Sequence, residues 1–145
     1  MSLLSRLFGM GTKPDTNGQA GYGMIPGDPL LTGHIPNRYF RHLRCPDGHE
    51  VQWQRVGSTV VHDLSFIKRR GASDPMGQFP PKQKYVNIDI YTVACECGKH
   101  RIENVFVDMY HVGFDTCIDA VGWTFVRAYP DGRTLRAGEV TSRRS

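Results

Sequence analysis

Two short stretches concentrate the residue types that bind metal. "CECGKH", residues 95–100, holds two cysteines, a glycine and a histidine, and "CPDGHE", residues 45–50, has the same ingredients at a looser spacing. Thiolate and imidazole are the usual ligands of zinc, which asks for four donors in a tetrahedron. Two residues separate Cys97 from His100 and three separate Cys45 from His49, spacings over which one tight turn delivers two ligands. Gly98 and Gly48 sit beside these ligands, so backbone amides can turn toward a thiolate with no Cβ in the way. Cys45, His49, Cys97 and His100 thus make a Cys2His2 set.

Cys95 is a fifth candidate. It lies two residues from Cys97, so at a strand end both sulfurs point the same way. Three sets stay open: Cys45/His49/Cys97/His100, Cys45/His49/Cys95/Cys97 and Cys45/Cys95/Cys97/His100. The expectation is a site drawing on Cys45, Cys97 and His100, completed by Cys95 or His49, with one structural zinc ion as cofactor. The alternatives are small buried thiols with no shared role and a disulfide or redox pair. A Cys45–Cys95 bond would close a loop of roughly 50 residues and contribute about 4 kcal/mol. Structural zinc supplies roughly 10–16 kcal/mol of folding free energy, and on that magnitude the metal is favoured.

The two turns resemble the knuckles of zinc ribbons, in which two hairpin tips clamp one ion. The usual knuckle is Cys-x-x-Cys-Gly; here the first turn has one cysteine and the second has Cys-x-Cys. The resemblance implies a small antiparallel sheet of hairpins held by zinc.

A catalytic zinc keeps one position open for water and needs an acid or base beside it. Glu50 and Glu96 adjoin ligands, but the chain lacks the His-x-Glu of zinc deaminases and the His-Glu-x-x-His of metalloproteases. A Rieske cluster is disfavoured by the first turn, which runs Cys-x3-His. Cys117 is the remaining candidate nucleophile, flanked by Asp115 and Asp119 with His111 upstream. A zinc-held β domain with a separate reactive cysteine resembles the plan of methionine sulfoxide reductases. Two neighbouring carboxylates raise a thiol pKa, however, which favours a buried structural role for Cys117. "GYGMIPG" has no strand before it or helix after it to build a phosphate loop.

Hairpins must position the two turns, and most of the chain reads as β. "NRYFRHLRC" and "EVQWQRV" flank the first turn as hairpin arms. "KYVNIDIYTVAC" alternates, with Val86, Ile88, Ile90 and Thr92 on one side and Tyr85, Asn87, Asp89 and Tyr91 on the other. Its return arm "RIENVFVDMY" puts Val105, Val107 and Met109 on one side, and Ile102 is out of phase with them, which predicts a bulge near Glu103–Asn104. A last hairpin is predicted across Pro130-Asp131-Gly132. "STVVHDLSFIKRRG" fits either a strand or a short helix ended by Gly71, and "GASDPMGQFPPKQ" is a loop. The fold class is therefore mainly β, with at most one or two short helices.

Residues 1–37 differ from the rest, holding seven of the 16 glycines and four of the nine prolines. They read as an extended Gly/Pro-rich arm, leaving residues 38–145 as a single β-rich domain. Leu3, Leu4, Leu7 and Phe8 give the arm an amphipathic start that is too short to hold a helix unaided. It therefore needs something to dock on: its own domain, a protein partner or second copy, or a membrane surface, with a partner or second copy the expectation.

The totals bound the function classes. At 145 residues the chain suits one domain. Its net charge of +4 permits an acidic partner without requiring one. No apolar run reaches the ~18 residues of a membrane span, and the N-terminus lacks a signal peptide's apolar stretch of roughly 7–15 residues. An intracellular protein, or one in a particle assembled inside a cell, is expected. The leading functional reading is a non-catalytic structural or adaptor subunit of a larger assembly. The alternative is a zinc-ribbon-like nucleic-acid binder using Lys68, Arg69 and Arg70 with Trp53, Tyr85, Tyr91, Phe106, Trp123 and Tyr129 for stacking. A Cys117-dependent redox enzyme is the lesser one.

Overall fold

The longest strands pair in the middle of the chain, and the described helices and the smaller sheet pack on their two faces. The computed structural model describes residues 22–72, 84–112, 117–126 and 134–136. Its elements are β1 (Leu30–Leu31), α1 (Pro36–Arg41), β2 (Leu43–Arg44), β3 (Val51–Val61), α2 (Ser65–Arg69), β4 (Val86–Cys95), β5 (Arg101–Asp108), β6 (Thr124–Val126) and β7 (Thr134–Arg136). They form a four-stranded sheet ordered β1-β5-β4-β3 and a three-stranded sheet ordered β2-β6-β7. β1 runs parallel to β5, so the larger sheet is mixed.

The alternation expected for β4 is present, and it serves two cores rather than one. At the start of the strand Val86 and Ile88 pack with Val61 of β3 and Phe66 of α2. At its end Tyr91, Val93 and Cys95 pack on the opposite face with Phe40 of α1, Leu43 of β2 and Phe125 of β6. β3 follows this switch by means of a bulge. Arg55 pairs with Tyr91 but Gly57 pairs with Ile90, which leaves Val56 as an extra residue. Val51 therefore faces one core and Val61 the other, although both are odd-numbered. The bulge expected in β5 is also present. Tyr91 pairs with Val105 and Val93 with Ile102, which places the extra residue at Glu103–Asn104 and returns Ile102 to the face of Val105 and Val107.

The stretch 60–71 is strand and then helix. β3 continues to Val61, and α2 follows at Ser65. The amide of Gly71 donates to Lys68 O and that of Ala72 to Ile67 O, the paired bonds with which a helix commonly ends at glycine. The final hairpin pairs as expected, β6 antiparallel to β7; its turn at 130–132 lies outside the described residues, as does most of the loop 71–83.

Two expectations are corrected. "NRYFRHLRC" is not a hairpin arm: residues 36–41 form α1, and β2 pairs with β6 instead of β3. Pro36 presets the first helical turn, and Phe40 is drawn fully into the core, 5.0 Å from the Tyr91 ring and 5.7 Å from that of Trp53. The second correction is the domain boundary. Tyr22, Asp28 and Leu30 are buried, Gly23 O accepts the amide of Phe106 at 2.8 Å, and Tyr22 O accepts that of Asp119 at 2.9 Å. The packed domain thus includes residues 22–37. Leu3, Leu4, Leu7 and Phe8 lie outside the described residues.

Arg70 fastens this early segment to α2. Its guanidinium donates to Asp28 Oδ1 at 2.7 Å and to Pro29 O, and it lies 4.1 Å over the Tyr22 ring. Arg69 adds a 3.3 Å contact to the same carboxylate.

Candidate metal centre

The two cysteine turns sit side by side at one end of the larger sheet. The first, 45–49, links β2 to β3 and so joins the two sheets; the second, 96–100, closes the β4–β5 hairpin. In the first, Cys45 N donates to His49 O at 3.1 Å and Gly48 N to Cys45 O at 2.8 Å. In the second, Cys95 N donates to His100 O at 2.9 Å and Gly98 N to Cys95 O at 3.1 Å. Gly48 and Gly98 have φ of +84° and +79°, the left-handed region that a Cβ disfavours. The turns are tied to each other by Glu96 N, which donates to Glu50 O at 3.0 Å.

This scaffold brings sulfur and imidazole together. Cys45 Sγ lies 4.0 Å from Cys97 Sγ, close to the ~3.8 Å edge of a tetrahedron with zinc–sulfur bonds of about 2.3 Å. The donor atoms of Cys45, His49 and Cys97 all fall within 4.8 Å of one another, and so do those of Asp47, Cys97 and His100. Cys97 Sγ belongs to both groups. Cys45 is buried, Cys97 and His100 are half-buried, and His49 and Asp47 are exposed. The amide of Asp47 donates to Cys45 Sγ at 3.3 Å.

Asp47 was not among the residues singled out in the sequence. It sits 3.1 Å from His100 Nε2 through its Oδ2. That hydrogen bond, with weaker attraction from His100, Lys99 and His49, holds its carboxyl below the usual aspartate range. Its position between Cys45 and His49 in the turn is the one signal the sequence offered.

Cys95 falls in neither donor group. It is buried and joined to Cys97 by a disulfide. A metal takes the thiolate as its ligand, so Cys97 serves either the disulfide or a metal, and the donor set belongs to the reduced chain. In that state Cys45, His49 and Cys97 could hold a metal ion, with His100 or Asp47 at hand for a fourth position.

The other candidates are placed apart from this centre. Cys117 is fully buried, its Sγ directed at Trp123 O at 3.7 Å. His111 is buried with Nδ1 2.8 Å from Asp108 Oδ2, and Asp108 Oδ1 also accepts the amides of Tyr110 and His111. Among the basic residues, Lys68 and Arg69 are exposed, whereas Arg70 is buried on Asp28. Tyr91 and Trp123 are core residues, Trp53 and Phe106 are half-buried, and Tyr85 is exposed; Tyr129 lies outside the described residues. No described helix is long and apolar enough to cross a membrane. Comparison with family models, curated proteins and solved structures finds no match to this chain.

Proposed function

We propose that this protein is a non-catalytic structural or adaptor subunit of a larger assembly. Its β domain is held by one zinc ion between two zinc-ribbon-like turns, and residues 1–21 dock on a partner. The observation that carries the zinc reading is the 4.0 Å approach of Cys45 and Cys97 sulfurs from two different turns, with His49 beside them. A structural role is supported by placement. One turn bridges the two sheets and the other ends the central hairpin, so an ion there fastens the sheets together. It is supported as well by supply: Cys45, His49, Cys97, His100 and Asp47 crowd the site, more donors than a closed tetrahedral ion needs.

The adaptor reading rests on the composition of the N-terminal stretch. A Gly-rich segment with an apolar start orders readily on contact with a partner. The nucleic-acid alternative is weakened because Arg70 and two of its aromatics are committed to the interior.

The test is metal content by mass spectrometry on protein purified under reducing conditions without added metal, beside Cys97→Ser. About one zinc per chain, lost in the variant together with thermal stability, is expected. A metal-free wild type would overturn the zinc reading. Deletion of residues 1–21 is expected to leave the domain folded while removing partner capture.

A further inference from the structure

Cys97 is claimed twice. Its sulfur stands 4.0 Å from Cys45 Sγ, in both groups of metal donors, and it is also bonded to Cys95 Sγ. The two roles exclude each other, because a disulfide sulfur has no thiolate charge to give a metal. Cys95 itself contributes to neither donor group, is buried, and is the last residue of β4, paired with Val51 of β3. The backbone bonds that shape this turn, Cys95 N to His100 O and Gly98 N to Cys95 O, are present with the disulfide in place. The scaffold therefore accommodates the oxidised form.

We propose that Cys95 is a resolving thiol, and that the Cys95–Cys97 pair is an oxidation site which releases the metal held by Cys45, His49 and Cys97. This inference rests on the zinc reading above. The oxidant is a hydroperoxide, with hydrogen peroxide as the simplest case. The half-buried Cys97 thiolate attacks one peroxide oxygen; the O–O bond breaks, hydroxide leaves, and Cys97 becomes a sulfenic acid. The Cys95 thiol then attacks that sulfur, the S–S bond forms, and water leaves with the thiol proton. Two electrons pass from the two sulfurs to the peroxide, and zinc departs as the hydrated dication because its shared sulfur ligand is gone. A thiol reductant reverses the sequence by exchange at the disulfide.

The pairing is local, so its detection is direct. No lysine or arginine lies between Lys84 and Lys99, and trypsin leaves both cysteines on one peptide, lighter by two hydrogens when oxidised.

The experiment uses the full chain, reduced and loaded with zinc, exposed to hydrogen peroxide while a chromogenic chelator reports free zinc. Zinc release in step with formation of the Cys95–Cys97 peptide is expected, with rebinding after dithiothreitol. Cys95→Ser and Cys95→Ala are expected to bind zinc as wild type does when reduced. After peroxide their Cys97 proceeds to sulfinic acid, and dithiothreitol fails to restore binding. Zinc retained while the disulfide forms would overturn the inference and remove Cys97 from the ligand set. Zinc lost while Cys95 still reacts with an alkylating agent would overturn it and leave the zinc reading standing. Failure of both folded Cys95 variants to bind zinc would make Cys95 a ligand and overturn its resolving role. A reduced wild type that binds no zinc would overturn the underlying reading, and this inference with it.

Discussion

The two ends of the β3–β4 ribbon are covered on opposite faces and held by different chemistry. At the start of β4 the cover is α2, with Phe66 fully buried against Val61, Val86 and Ile88; an ion pair between Asp28 and Arg70 stands beside it. At the other end the cover is α1 and the second sheet, and their edge carries the cysteine turns. The first arrangement is complete from side chains alone. The second brings sulfur and imidazole close enough that they could hold a metal, and the dependence on metal and redox state proposed for it has no counterpart at the first.

Metal removal separates the ends most sharply. Chelation of the reduced chain is expected to withdraw a contribution on the order of 10 kcal/mol. Hydrogen exchange is expected to speed up first at Val93 and Cys95 and at Phe125, while Val86 and Ile88 keep their protection; uniform loss would show that the two ends unfold as one unit. Phe66→Ala probes the other end. It deletes a fully buried aromatic and is expected to cost about 4 kcal/mol in denaturant unfolding, with zinc affinity unchanged in the folded fraction. A change in that affinity would couple the ends.

The smallest expected effect belongs to the buried ion pair. Asp28→Asn leaves the Arg70 guanidinium without its counter-charge among residues that exclude water, a change expected to destabilise by about 3 kcal/mol. Burial pushes the Asp28 carboxyl above its ordinary value and the Arg70 guanidinium below its own, so desolvation offsets much of the attraction. Asp28→Asn combined with Arg70→Met is accordingly expected to be more stable than Asp28→Asn alone. If it is not, the pair does more than balance itself.

Local pattern made some of this legible. The out-of-phase Ile102 revealed the β5 bulge, and the similar composition of the two turns placed Cys45 near Cys97. What escaped notice depends on distant partners. Residues 22–31 carry no periodicity because β1 has two residues and is held by pairing with β5, far away in sequence. α1 is six residues long, and its helical state rests on Phe40 reaching Tyr91 and Trp53 rather than on propensity. The change of covered face along β4 has the same origin, since alternation says which residues share a side and not what covers it.

The bulge at Val56 has a consequence for solubility. Among the described residues β3 has no neighbour on its outer side, and a straight margin eleven residues long would be a template for another chain's strand. The extra residue interrupts that margin near its middle and increases the local twist, so neither half offers a long run of amides in register. The irregularity that lets one strand serve two cores also keeps neighbouring molecules from zipping onto it.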